Sequence, residues 1–85
     1  MTTFTYTITD PQGLHARPAG LLVKCAQGCA STVQMEKQGH KADAKRIFAV
    51  MGLGVKKGDE IVFTVEGDSE KADSETVKAF CEKNL

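Results

Sequence analysis

Residues 3–9 read Thr-Phe-Thr-Tyr-Thr-Ile-Thr, and this strict alternation constrains the fold more than any other feature. Side chains along a strand point to opposite faces in turn. Phe4, Tyr6 and Ile8 therefore share one face, and Thr3, Thr5, Thr7 and Thr9 share the other. Ile61, Phe63 and Val65 repeat the pattern against Val62, Thr64 and Glu66, and Val33 and Met35 alternate with Thr32, Gln34 and Glu36. Strands with one wet face fit an antiparallel sheet that helices cover on one side only.

Between the strands the period changes. Ala19, Leu22, Val23 and Ala26 follow the i, i+3, i+4, i+7 spacing of a core-facing helix that starts near Ala16 and stops at Gly28. Gln38-Gly39 turns the second strand back into a short third one around His40–Ala42. Residues 45–53 predict a short helix closed by Gly54, and Lys56–Asp59 a turn. Asp68 and Ser69 cap a final helix with Ala72, Thr76, Ala79 and Phe80 on its inner stripe. The order is βαββαβα, an α+β chain. Its 85 residues fill one domain, 1–85, without repeat or linker.

Eleven basic residues balance eleven acidic ones, which argues against nucleic acid or an anionic membrane surface as the main partner. No apolar run approaches the roughly 20 residues of a membrane span. Met-Thr-Thr-Phe-Thr-Tyr carries no basic stretch followed by an apolar one, so the expected location is the cytoplasm. Cys25, Cys29 and Cys81 are an odd set, expected as free thiols in a reducing compartment. Cys25 and Cys29 would share a face if the helix continued, but zinc usually takes four ligands and only His15 and His40 could add to them. Core packing is the better reading, and neither metal nor cofactor is expected.

The chemistry concentrates at Gln12-Gly13-Leu14-His15-Ala16-Arg17-Pro18. A histidine here sits at a helix N-terminus, where backbone N–H groups lack partners and the dipole is positive, which suits an anion. Histidine there can bind a phosphate or become phosphorylated. With His15 as N-cap, the free donors are the N–H groups of Ala16, Arg17 and Ala19, and Arg17 can add charge-assisted bonds. Pro18 costs no hydrogen bond in the first turn, though it biases Arg17 away from helical angles. Gly13 allows a sharp turn and close approach of a partner's backbone. Arg17, Gly20 and Lys24 lie on one helical face. A histidine at this place can also be an ordinary polar cap, but Arg-Pro is a poor choice for helix stability alone.

A second segment, Arg46–Leu53, can give Val50 and Leu53 to the core, with Ile47, Phe48 and Met51 on another face. Either this short helix is buried all round, or the second face is an exposed apolar patch of the kind that docks proteins. Met and Phe suit a surface that meets several partners.

Gly13-Leu14-His15-Ala16-Arg17-Pro18-Ala19 resembles the active-site signature of HPr, the histidine-containing phosphocarrier family of the bacterial sugar phosphotransferase system. Lys45–Gly54 resembles that family's second signature, and length and element order match as well. The resemblance implies an open-faced β-sandwich: a four-stranded antiparallel sheet with three helices on one face. It implies that His15 accepts a phosphoryl group at Nδ1 from enzyme I, charged by phosphoenolpyruvate. The group then passes to the IIA domains of sugar transporters. Arg17 would help hold the phosphate, and Ile47, Phe48 and Met51 would dock partners. Such a protein has no turnover of its own and is expected to be a monomer. The alternatives are a paralogous carrier of the nitrogen-related branch and a regulatory module like the catabolite-repression homologue. That homologue lacks the histidine and keeps a regulatory serine; this chain has His15, and Arg46 where many relatives carry that serine.

Overall fold

A computed structural model describes residues 1–85. Its elements are β1 (Thr2–Thr7), α1 (Ala16–Gln27), β2 (Thr32–Lys37), β3 (His40–Asp43), α2 (Ile47–Met51), β4 (Glu60–Glu66) and α3 (Glu70–Asn84). The four strands form one antiparallel sheet in the order β1-β4-β2-β3. β4 is flanked on both sides: Phe63 lies opposite Phe4 of β1 and opposite Met35 of β2.

Alternation sorts the strands as the sequence predicts. Val33, Met35, Ile61, Phe63 and Val65 are buried, whereas Thr3, Thr5, Thr7, Thr32 and Gln34 face solvent. The buried strand face meets Ala19, Leu22, Val23 and Ala26 of α1 and Val77 and Cys81 of α3 in one core. Phe4 stacks on Phe63 with ring centroids 5.0 Å apart. The architecture is the expected open-faced sandwich.

Local chemistry sets the connections. Gln38 and Gly39 both take positive φ, 50° and 86°, as a tight hairpin turn between twisted strands requires. Lys37 ties the β2 end to the loop before β4, donating from Nζ to the Gly54 carbonyl at 2.7 Å and pairing with Asp59 at 2.9 Å. Asp73 Oδ2 accepts the Ser31 N–H at 2.9 Å and the Ser69 hydroxyl at 3.0 Å. These partners hold the Asp73 carboxyl below its ordinary pKa, chiefly through Ser31, as Lys37 does for Asp59 and the Met1 ammonium for Glu70.

Two details depart from expectation. α2 covers only Ile47–Met51 and is capped by Gly52, two residues before Gly54. The inner face of α3 is Ser74, Val77 and Cys81; Ala72, Thr76 and Ala79 are exposed, and Phe80 is half-buried. α3 is turned so that Asp73 reaches Ser31 and Val77 and Cys81 enter the core. α1 ends at Gln27 with Gly28 as its C-cap, as expected, so Cys29 lies beyond the helix that carries Cys25. All three thiols are free; Cys29 and Cys81 are buried, and burial pushes Cys81 up to about 12.

Candidate functional site

The turn after β1 delivers His15 to the surface. Asp10 Oδ1 accepts the Gln12 N–H at 2.9 Å, and its carbonyl accepts the Gly13 N–H at 2.9 Å. Gly13 has φ +68°, and a Cβ there would lie 2.5 Å from the Val55 carbonyl oxygen and 2.7 Å from Lys56 Cα. The close approach that this glycine permits is therefore to the chain's own loop, not to a partner. Leu14 completes the anchor: it is buried, and its N–H donates to Val55 at 3.1 Å.

His15 is the N-cap of α1, with extended backbone (φ −84°, ψ −175°), and its side chain makes no capping bond. The half-buried imidazole is thus not spent on its own helix. Helical geometry begins at Ala16 despite the Pro18 bias, and Pro18 is buried. The Ala19 N–H is not a free donor as expected: it makes the first intrahelical bond, to the His15 carbonyl at 2.9 Å. The N–H groups of Ala16 and Arg17 have no protein acceptor.

His15, Arg17 and Pro18 line a shallow recess of about 270 Å³ together with Asp10, Leu21 and Asn84. Asp10, Leu21 and Asn84 escaped the sequence reading. Leu21 could have been found, since it is apolar, four residues after Arg17 and outside the buried stripe; it is 44% exposed. Asn84 comes from the end of α3, where no local pattern points to His15. The expected outer face of α1 is present: Arg17 and Lys24 are exposed and Gly20 is half-buried.

α2 resolves the open choice of burial. Val50 is buried and Leu53 half-buried, but Phe48 is 86% exposed, Met51 42% exposed and Ile47 half-buried. Ile47 and Phe48 border a groove of about 510 Å³ with Val23 and Gln27 of α1. The Gln27 side chain donates to the Lys45 carbonyl at 3.0 Å, which fixes α2 against the end of α1. Arg46, the N-cap of α2, is exposed and sits 3.9 Å from Asp43.

An open recess with an imidazole, a guanidinium and two free N–H groups suits a tetrahedral dianion, and the exposed apolar side chains of α2 suit a protein. The family model for the PTS HPr component phosphorylation site matches residues 2–83. The chain belongs to the HPr family. It is similar to the phosphocarrier protein HPr of Lysinibacillus sphaericus, 41% identical over 70 residues, covering 82% of this chain and 80% of that one. The crystal structure of HPr-C-His from Thermoanaerobacter tengcongensis superposes with TM-score 0.94 at 36% identity, covering 99% of this chain and 94% of the other. Crh of Bacillus subtilis, a catabolite-repression protein whose crystal structure is a swapped-domain dimer, matches at TM-score 0.77 and 33% identity over 100% and 98% of the two chains. HPr-family membership makes this protein a phosphoryl carrier of the phosphotransferase system, without catalytic turnover. No helix is long and apolar enough to cross a membrane.

Proposed function

We propose that His15 is the phosphoryl acceptor, charged by enzyme I and discharged to IIA domains of sugar transporters. The observation that carries this reading is an uncommitted imidazole at a helix mouth, sharing its recess with Arg17 and flanked by two N–H groups without acceptors. In the transfer, the lone pair of one ring nitrogen, Nδ1, forms the N–P bond. The donor's bond to phosphorus breaks and returns its electron pair to the donor. Ala16 and Arg17 supply N–H bonds to the phosphoryl oxygens, and the Arg17 guanidinium supplies charge. Each contact contributes about 1–3 kcal/mol, enough to hold the group without trapping it.

Gly20 and Lys24 on α1 and Ile47, Phe48 and Met51 on α2 form the docking surface for both partners. A monomer in the cytoplasm keeps recess and surface open to each in turn. Arg46 offers no hydroxyl, so serine phosphorylation cannot regulate docking at that position. The test is incubation with enzyme I and phosphoenolpyruvate, followed by mass measurement. One acid-labile phosphoryl group is expected, absent in His15→Ala. Label persisting on His40 or a serine in that variant would refute the assignment.

A further inference from the structure

We infer that Asp10 is a fixed negative charge that raises the transfer potential of the phosphoryl group on His15. The inference rests on the reading of His15 as acceptor. Asp10 lines the same recess as His15 and Arg17. Three hydrogen bonds fasten it: its N–H donates to the Leu85 carbonyl at 2.9 Å, its carbonyl accepts the Gly13 N–H at 2.9 Å, and Oδ1 accepts the Gln12 N–H at 2.9 Å. Two of these bonds fix the backbone of this half-buried residue, and the third directs its carboxylate.

Arg17 is the opposing charge in the recess, and it forms no ion pair. Pro18, Leu21 and Asn84 are uncharged, so the side chains that line the recess carry one minus and one plus. A phosphoryl group brings about −1.5 to −2 charges near neutral pH. Loading His15 thus makes the lining net negative, beside a carboxylate that accepts the Gln12 N–H through Oδ1. Like charges at short range raise the free energy of the loaded state. The Ala16 and Arg17 donors hold the phosphoryl group, and Asp10 offsets part of that hold, favouring delivery to an acceptor. Asp10 forms no bond to phosphorus and takes no proton in the step.

Asp10→Asn removes the charge while its amide oxygen can still accept the Gln12 N–H. Asp10→Ser is the second variant, because its hydroxyl can make the same kind of local turn. Each protein is equilibrated with enzyme I at a fixed ratio of phosphoenolpyruvate to pyruvate, and the phosphorylated fraction is read by mass. Both variants should show a ratio of loaded to free carrier more than about twofold above wild type, the factor that one like charge within about 10 Å supplies in water. The difference should shrink in about 1 M salt, where the screening length falls to about 3 Å. A ratio within about twofold of wild type in both variants, or below it, overturns the inference while wild-type labelling on His15 keeps the acceptor reading intact. Wild-type protein that takes no label on His15 overturns both.

Discussion

Truncating Phe48 to alanine separates docking from folding. Phe48 is 86% exposed, whereas Phe63 is fully buried and stacked on Phe4. An aromatic side chain buries about 150–250 Å² when enclosed, so the small covered part of Phe48 is about 30 Å², equivalent to about 0.7 kcal/mol. Alanine is the better helix former by several tenths of a kcal/mol, which offsets most of that loss. Phe48→Ala should therefore change stability by less than about 0.5 kcal/mol, and the melting temperature by less than about 4 °C. Phe63→Ala, the internal reference, should cost about 3–5 kcal/mol and lower it by more than about 12 °C. Interface anchors cost about 2 kcal/mol or more when truncated. The specificity constant for phosphorylation of Phe48→Ala by enzyme I should accordingly fall at least about 10-fold, measured from initial rates at varied carrier concentration. A melting shift like that of Phe63→Ala, or an unchanged rate, would refute the reasoning.

Arg17→Ala should slow labelling of His15 while altering stability by less than about 0.5 kcal/mol, as an exposed substitution does; a large melting shift with a normal rate would make Arg17 structural. Gly13→Ala should lower stability by at least about 1–3 kcal/mol in denaturant titration, because a positive φ is strained for alanine and its Cβ meets the Val55–Lys56 backbone; an unchanged midpoint would contradict that packing. Asp59, Glu70 and Asp73 have folded pKa values below their ordinary 3.8, 4.5 and 3.8. Their contribution is present above those ordinary values and is lost as pH falls through the lowered ones, so urea midpoints should drop below about pH 4.5. A midpoint that stays flat down to pH about 3 would contradict it.

The strands were legible because Thr alternating with Phe, Tyr and Ile is a high-contrast pattern that only a half-buried strand satisfies. α1 was legible for the same reason, with Leu22 and Val23 set against Arg17 and Lys24. α3 and its Ser69 cap were legible too, but its inward face was not, because Ala72, Thr76 and Ala79 are nearly as apolar as the residues that truly face inward. Its orientation is set by the contact of Asp73 with Ser31, 42 residues apart. At the recess, His15 and Arg17 announce themselves through the helix start that they flank. Asp10 reads as an ordinary turn residue, and Asn84 comes into range only when α3 packs back across the sheet. The short α2 carried both readings of its apolar side chains in the sequence. Burial of Val50 against exposure of Phe48 settled between them.

The placement of β4 sets an order of assembly. Thr2 pairs with Val65, and Thr7 with Glu60. β2 also pairs with β4, so neither half of the sheet joins the other until that strand exists. At roughly 5–20 residues per second, synthesis leaves several seconds between the appearance of β1 and of its partner. Through that interval Phe4, Tyr6 and Ile8 have no sheet to enter, and closing so distant a pairing is slow compared with forming α1. The hairpin of β2 and β3 can form early, because its pairs, Lys37 with His40 through Gln34 with Asp43, are close in sequence. Released chains truncated before Glu60 should therefore leave β1 open to proteases, whereas the full chain protects it.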